Sequence, residues 1–379
     1  MFKKYYAALA LLLAEGGTPS DCRKLSLPPE EIYEELSTQQ GRDRLSKLLG
    51  KDLGPVRWDE FDAQMTALER IGGGAVCLWD DAYPDYLHYI AQAPPIVFYK
   101  GAFVGVYRRG VAVVGSRKPS APGAALARSL GRELAAMGIP VVSGLARGID
   151  SAAHRGSIEG GGGGVAVIGT GLDIPYPPEN AELMLDMSTS GCVVTEARMG
   201  SAGKAFVFPL RNRLISAFSH AVVVVEAGER SGALITAKWA LEQGRDVGAV
   251  PGFPGNFRSR GTSQLLKQGA FVVESASDVL AAVPRLVQLF VTSDQSDPTS
   301  KTTAGTTAGD EEAADRARYA RRDYKDAQRL LAVVGNAPVG PDELARHVGM
   351  DAATVQRLLL HLEMAGRVER DSLGRYTTI

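Results

Sequence analysis

The sequence predicts a mixed α/β protein, and three observations support this. Between residues 111 and 285, short apolar runs alternate with helical patterns, which is typical of a parallel sheet covered on both faces. The first 70 residues or so place apolar side chains at helical spacing, and residues 323–379 contain three helical patterns followed by a hairpin signal. The fold expected is a Rossmann-like, doubly wound, mostly parallel sheet with an N-terminal helical domain and a C-terminal winged-helix domain.

Length and charge limit the possible organisation. A chain of 379 residues is longer than one average domain. We expect an N-terminal helical domain, a central Rossmann-like domain with its leading segment, a disordered linker and a winged helix, at residues 1–74, 75–290, 291–320 and 321–379. The formal net charge of -1 predicts no overall attraction for a polyanion, so any nucleic-acid affinity requires a local basic surface.

The cysteines and histidines indicate neither disulfides nor a metal. Cys22, Cys77 and Cys192 are few and far apart, which suits a reducing cytoplasm. The histidines are scattered and no HExxH motif occurs. We therefore expect a cytoplasmic protein with no metal and no cofactor.

The N-terminus resembles a signal peptide at first sight. Residues 1–4 (MFKK) precede the apolar run YYAALALLLA, but no convincing cleavage site follows. The run is also too short to span a bilayer. We expect an ordinary amphipathic helix and no membrane association.

The segments before the central domain are less specific. Leu9, Leu12 and Leu13 show i, i+3, i+4 spacing, and residues 58–71 repeat a helical pattern. Residues 75–101 contain two strand-like runs around a Pro- and Tyr-rich stretch. They are expected to connect the helical domain to the edge of the next domain.

The central domain contains seven candidate strands. Ser120 and Ser231 are placed to begin two of the intervening helices, and Gly244 to end the second. The strands are expected at 111–115, 140–144, 165–169, 192–196, 221–227, 247–251 and 270–274.

The C-terminal part begins after a stretch without large apolar residues. Residues 292–314 are unable to bury a core and are predicted to be a disordered linker. Helices are expected at 323–335, 341–349 and 351–366, followed by a hairpin around 372–374.

The turn after the first central strand has phosphate-binding chemistry. Gly115, Ser116, Arg117 and Lys118 stand where a G-x-G-x-x-G fingerprint would be, at the carboxyl end of a strand where such sheets bind ligands. Gly115 permits close backbone approach, Ser116 offers a hydroxyl, and Arg117 provides a bidentate fork. The alternative is a tight turn with two solvated cations.

Two further turns are expected at the same edge. Ser143, Gly144 and Arg147 follow the second strand, where Asp150 is expected to be a helix N-cap and His154 a packed residue. The third strand ends in Gly169, Thr170 and Gly171, without the Gly-Lys-Ser/Thr of a P-loop, which disfavours ATP hydrolysis by that route.

The stretch FPLRNR, residues 208–213, is the most specific indication of a binding site in the sequence. Phe208, Arg211, Asn212 and Arg213 lie near the start of a candidate helix, and Lys204 adds a cation. Cations interleaved with an aromatic ring suit single-stranded DNA, with phosphates on the charges and a base on the ring. The alternative is a buried Phe208 and an arginine paired with Glu196 or Glu226.

The motifs in order resemble those of the DNA processing protein A family (DprA, also called Smf). They are GSRKPS, SGLARGIDSAAH, GTGLDIPYP, FPLRNRLIS, VVVVEAGERSGALITA, AVPG and GTSQLLKQGA, and the resemblance runs from about Tyr83 to Val279. It implies a non-catalytic single-stranded DNA-binding protein that helps load the recombinase RecA in natural transformation, and a homodimer through the Rossmann domain. The implied DNA pocket includes Arg117, Phe208, Arg211 and Arg213, with Ser231 and Gly232 at the next helix start.

The chain departs from the family at one place. Residues 195–200 read TEARMG where the family has Ser-Glu-x-Pro-x-Gly, which leaves the loop shape and the register of Lys204 open.

Two alternatives are considered. A nucleotide phosphoribohydrolase has a similar fold, but residues 227–232 lack its Pro-Gly-Gly-x-Gly-Thr run. A duplex-reading winged helix would need a basic recognition helix, and Arg357 is the sole Lys or Arg in 351–365. The winged helix is therefore expected to contact protein or to make a minor DNA contact.

Overall fold

The computed structural model describes residues 4–103, 110–203 and 207–284, and in the C-terminal part residues 286, 330, 333–334, 338–350, 355, 359, 368–371 and 375–378. The chain forms two compact units, Met1–Ala276 and Ser277–Ile379. The predicted linker at 291–320 and Lys204 lie outside the described residues.

Five helices begin the first unit. They are α1 (Tyr5–Leu13), α2 (Asp21–Lys24), α3 (Pro29–Ser37), α4 (Gln39–Leu49) and α5 (Trp58–Arg70). The expectation that α1 is amphipathic is wrong, because nearly all of its residues are buried. It packs against α2, α3, α5 and the first two strands, and a helix enclosed in this way is apolar all round.

The central element is a nine-stranded sheet. Its strands are β1 (Gly74–Cys77), β2 (Ile96–Gly101), β3 (Gly110–Val114), β4 (Val141–Ser143), β5 (Gly164–Val167), β6 (Cys192–Thr195), β7 (Ser219–Val224), β8 (Asp246–Ala249) and β9 (Phe271–Val272). Their spatial order is β1-β2-β6-β5-β4-β3-β7-β8-β9. All described pairings among β3 to β9 are parallel, and each predicted strand is present.

The leading segment extends this sheet. β1 and β2 form an antiparallel pair, and β2 in turn pairs antiparallel with β6. The short helix α6 (Asp85–His88) lies between them in sequence. The two strand-like runs thus belong to the sheet itself.

Helices connect the parallel strands. They are α7 (Ala121–Ala136), α8 (Ile149–Glu159), α9 (Ala181–Ser190), α10 (Val207–Ala217), α11 (Gly232–Glu242) and α12 (Arg260–Lys267), with α13 (Ala276–Ala282) following β9. The hydroxyls of Ser120 and Ser231 accept hydrogen bonds from backbone N–H groups in the first turns of α7 and α11, as predicted.

The sheet is buried on both faces. Ala166 and Val193 pack into one core with the N-terminal helices and α9, whereas Val165, Val167 and Val194 pack into another with α10 and α11. Successive residues of a strand point to opposite faces, so strands buried on both sides are apolar throughout. This explains why the continuous apolar runs predicted the strands.

The strand order reverses beside β3. From β3 the chain proceeds through β4, β5 and β6 in one direction, and then returns to place β7 on the other side of β3. The loops after β3 and β7 therefore diverge and leave a crevice at the carboxyl edge. Ligands of open α/β sheets bind at such a switch point.

The second unit contains a helix and a two-stranded sheet. α14 (Pro341–Val348) is the middle predicted helix, and β10 (Val368–Arg370) pairs antiparallel with β11 (Tyr376–Thr378). Most of the first and third predicted helices lies outside the described residues. Their described apolar residues pack with α14 and the strands in one core: Leu330, Val334, Leu344, Val348, Val355, Leu359, Val368 and Tyr376.

Within the described part of the chain, no helix combines the length and apolar character needed to cross a membrane.

Candidate functional site

A pocket of about 880 Å³ occupies the crevice at the switch point. Its walls come from the turn after β3, the turn after β7 and the first turns of α10 and α11. Eight predicted residues line it: Gly115, Ser116, Arg117, Phe208, Arg211, Asn212, Ser231 and Gly232. The volume is that of a typical ligand site, so the predicted turns do converge on one cavity.

A smaller cavity of about 50 Å³ adjoins the pocket. Arg117, Phe208 and Arg211 line both, and the smaller cavity adds three more predicted residues, Gly144, Arg147 and Gly169. Arg147 is exposed and forms an ion pair with Glu179 across the rim. The loops after β3, β4 and β5 thus contribute to one continuous surface.

The first turn is built around Gly115. A Cβ on this residue would lie 2.7 Å from the Ile149 side chain and 2.9 Å from the Glu226 carbonyl oxygen, so only glycine fits. The Ser116 N–H donates to that carbonyl at 2.8 Å. Arg117 follows with an exposed side chain whose guanidinium carbon lies 5.6 Å from the Phe208 ring centroid.

Phe208 is the aromatic centre of the pocket. Its half-buried ring stacks on Tyr176 with centroids 4.9 Å apart and planes inclined by 28°. The Arg211 guanidinium carbon lies 5.9 Å from the same ring. Two cations and a second ring therefore surround one phenyl group, an arrangement suited to cation–π and stacking contacts.

Arg211 is a buried cation beneath the pocket. Its guanidinium donates to the Gly144 carbonyl at 2.8 Å and to the Val167 carbonyl. Burial lowers its pKa to about 10, with Arg117 adding to this and Asp150 opposing it. At neutral pH the group remains protonated and supplies a fixed positive charge.

Asp150 lies beside this cation. The expectation that it is a helix N-cap is wrong: Gly148, at a φ of +79°, occupies that position, and Asp150 lies in the first turn of α8. Its carboxylate accepts from the N–H groups of Gly144 at 3.1 Å and Ala146 at 3.4 Å. Burial raises the pKa of this carboxyl group, and Arg211 opposes the rise. Asp150 therefore organises the turn after β4.

His154, on the same helix, is completely buried. Burial lowers its pKa to about 4, and the nearby Arg211 charge acts in the same direction. A packed, neutral histidine is what the sequence predicts.

Arg213 is not brought to the pocket. It is 2% exposed, pairs with both carboxylate oxygens of Glu196 at 2.9 and 2.6 Å, and donates to the Gln92 carbonyl at 2.8 Å. The structure thus gives Arg213 the Glu196 pairing that the sequence left open as an alternative, and it ties α10 to the leading segment.

Several other predicted residues lie outside the pocket wall. Ser143 and Thr170 are fully buried and donate to the carbonyls of Val113 and Ile174 at 2.7 Å each. The Gly171 N–H donates to the Ser201 carbonyl at 3.0 Å. Lys118 is exposed beside the rim, and its N–H donates to the Ser116 hydroxyl at 3.1 Å. Ser143, Thr170 and Gly171 support the loops that carry the site.

Among the lining residues that were not predicted, Tyr176 and Arg230 add an aromatic ring and a cation to the site. Tyr176 stacks on Phe208, and Arg230 reaches the pocket from the turn after β7. Arg230 follows an apolar strand, the same signal that identified Arg117. Tyr176 belongs to the GTGLDIPYP motif, but its position there predicts no role, because its contact with Phe208 depends on the loop between β5 and α9.

Fold and site together define a Rossmann-like α/β protein whose sheet edge presents cations and an aromatic ring in place of dinucleotide-binding glycines. Residues 74–284 match the family model of DNA recombination-mediator protein A, and residues 313–372 match that of the DprA winged-helix domain. The chain belongs to the DprA family. The resemblance and the predicted fold class are both confirmed.

Relatives occur in several bacteria. Protein Smf of Synechocystis sp. is 34% identical over 313 residues, 78% of this chain and 78% of the relative. DNA processing protein DprA of Streptococcus pneumoniae is 44% identical over 206 residues, 53% of this chain and 71% of the relative.

The chain is similar to the solved structures of two DprA proteins. The X-ray structure of DprA from Streptococcus pneumoniae matches with a TM-score of 0.60 and 34% identity, covering 74% of this chain and 96% of that chain. The Helicobacter pylori DprA, studied for its single-stranded DNA binding mode, matches with a TM-score of 0.51 and 24% identity, covering 56% and 96%. The second likeness shows the fold alone.

Proposed function

We propose that the pocket binds single-stranded DNA without catalysis. The observation that carries this is Phe208, a half-buried ring with the Arg117 and Arg211 guanidinium groups 5.6 and 5.9 Å from its centroid. A base stacks on a ring while neighbouring phosphates pair with cations, and this recognition tolerates any sequence. The net charge of -1 agrees with a local basic site and not a basic protein.

The same pocket does not favour hydrolysis of a nucleotide. Among the described residues that line it, Asp150 is the sole acid. Its carboxylate is occupied by the two N–H groups of the turn after β4 and lies beside Arg211. Enzymes that hydrolyse glycosidic bonds typically use a pair of carboxyl groups, and the described lining offers no second one.

Fluorescence anisotropy of a labelled oligothymidylate at increasing salt concentrations tests the proposal. The Arg117→Ala/Arg230→Ala variant removes two exposed cations from the pocket. It should bind more weakly. The slope of log Kobs against log salt concentration should also be shallower by about 1.4, since each lost phosphate contact removes about 0.7 from the slope. Affinity independent of both salt and these substitutions would contradict the proposal.

The matched control is Arg128→Ala/Arg132→Ala. It removes the same charge from the exposed face of α7, where Arg128 pairs with Glu159. Its affinity and salt slope should equal those of the wild type.

The family resemblance supports three further proposals. We propose that the DNA-bound protein acts in the cytoplasm, helps load RecA during natural transformation, and forms a homodimer through the Rossmann-like domain. The rate of RecA assembly on single-stranded DNA, measured with and without this protein, tests the proposed role in RecA loading. Sedimentation tests the dimer.

We propose that the winged-helix domain makes at most a minor contribution to single-strand binding. Deleting residues 315–379 should leave most of the affinity intact, because the proposed pocket lies entirely in the first unit. A large loss in the anisotropy assay would contradict this assignment.

A further inference from the structure

The loop between β8 and α12 presents two aromatic rings to solvent. Phe253 is 81% exposed and Phe257 is 62% exposed. A phenyl side chain left in water forgoes the free energy that its burial would contribute. The loop follows the carboxyl end of β8, at the same edge of the sheet as the pocket, so the two rings lie on the ligand-binding side of the molecule.

This loop has a defined conformation. The Asn256 N–H donates to the Phe253 carbonyl at 3.1 Å, which closes a turn with Pro254 and Gly255 at its centre. Gly255 has a φ of +89°, the value that a type II turn requires there. The buried Ser259 hydroxyl lies 3.2 Å from the Phe253 carbonyl and 3.1 Å from the Asn256 carbonyl. The rings are therefore displayed on an internally bonded loop.

The loop is continuous with the pocket. A Cβ built on Gly228, a pocket residue, would lie 3.4 Å from the Phe257 carbonyl oxygen. On the other side, the Arg258 Nε donates to the Lys118 carbonyl at 3.4 Å, next to Arg117. The loops after β3, β7 and β8 thus form an unbroken rim.

Positive charge accompanies the rings. The Arg258 guanidinium carbon lies 4.5 Å from the Phe257 ring centroid, and Lys118 is exposed beside it. Arg260 also projects here and pairs with Glu229 at 3.5 Å, both side chains being more than half exposed. Such an exposed pair is weak, so Arg260 remains available to another anion.

We propose that this surface, the β8 loop platform (Phe253, Phe257 and Arg258), binds the single strand where it leaves the pocket. Bases stack on the two rings, and phosphates pair with Arg258 and Lys118. The proposal rests on the pocket being a single-strand site and extends that site along the sheet edge. Aromatic rings interleaved with cations are the combination that recognises a polynucleotide, with bases on the rings and phosphates on the charges.

Binding of oligothymidylates from about 4 to about 16 nucleotides long tests the platform, over the usual range of single-strand site sizes. The Phe253→Ala/Phe257→Ala variant should lose about 30-fold or more in affinity for the longest oligomer, since it removes two stacked bases that each contribute about fivefold or more. It should bind the shortest oligomer, which fills only the pocket, like the wild type. The control is Tyr89→Ala, which removes an 88% exposed ring elsewhere and should change neither affinity.

The other outcomes are distinct. An unchanged affinity for the longest oligomer, or the same loss at every length, would overturn the platform while leaving the pocket proposal intact. A wild-type dimer that the double substitution converts to a monomer in sedimentation would show that the rings join two copies, which also overturns it. A wild-type protein that binds no oligomer of any length would overturn the pocket proposal itself.

Discussion

Arg211 and Arg213 lie on the same helix, two residues apart, and meet opposite surroundings. Arg211 lies beneath the pocket, donating to backbone carbonyls with its charge close to the Phe208 ring. Arg213 lies on the other side of α10, where it pairs with Glu196 and donates to the Gln92 carbonyl. Residues two apart on a helix face different directions, so one arginine lines the pocket and the other packs against the leading segment.

Arg213→Ala should produce the largest effect on stability. It leaves Glu196 without its partner, and breaking a buried ion pair in this way costs about 3–4 kcal/mol. The free energy of unfolding from urea denaturation measures this. Arg44→Ala, which breaks the exposed pair with Glu35, should change it by less than about 1 kcal/mol.

The same substitution sharpens the contrast between the two faces. The folded Arg213→Ala protein should bind single-stranded DNA like the wild type, because Arg213 does not line the pocket. A specific loss of affinity at temperatures where the variant is fully folded would show that the two faces of α10 are not independent.

Acidification should lower the free energy of unfolding, because His154 is buried in its neutral form. The folded-state pKa of His154 is about 4, below its ordinary value of 6.5, so the unfolded chain binds more protons between these values. The stability associated with neutral His154 is present above pH 6.5 and is lost as pH falls toward 4, by about 3 kcal/mol.

The His154→Leu variant isolates this contribution. Urea denaturation of both proteins from pH 7 to pH 4, at about one-unit intervals, gives the difference in slope, since all other groups titrate in both. Equal slopes would show that His154 titrates normally in the folded protein.

Phe208→Ala should have the next largest effect, on binding. Loss of the stacking ring should lower single-strand affinity by about 2 kcal/mol, or roughly 30-fold, without changing the salt slope. Phe208→Tyr retains the ring and should retain the affinity. A shallower salt slope in the alanine variant would indicate that the ring positions the cations instead of a base.

Arg117→Lys should have the smallest effect. The substitution keeps the charge and therefore the salt slope, but it loses the planar fork over Phe208. We expect an affinity about threefold lower, since an exposed cation–π contact contributes about 0.5–1 kcal/mol. An unchanged affinity would mean that Arg117 acts as a point charge.

The strands were predictable because each one is marked by a short run of apolar residues that is contiguous in sequence. Runs such as residues 221–225 are apolar on both faces, which only a doubly covered sheet requires. The character of α1 was not predictable, because the partners that enclose it come from α3, α5 and the β1–β2 pair. The joining of β1 and β2 to β6 is likewise a long-range pairing that no short segment specifies.

The candidate site, like the fold, has features that the sequence predicts and others that only the tertiary structure determines. By itself the sequence determined that Gly115, Arg117 and Phe208 stand just after strands or at a helix start, since such positions carry backbone N–H groups and side chains to the carboxyl edge. Only the tertiary structure decided which cation lies near the ring. Packing places Arg211 beside Phe208 and pairs Arg213 with Glu196. It also brings Tyr176 and Arg230 to the pocket from loops distant in sequence. Residue type and spacing are local properties, whereas the direction of a side chain depends on which face of its helix the core covers.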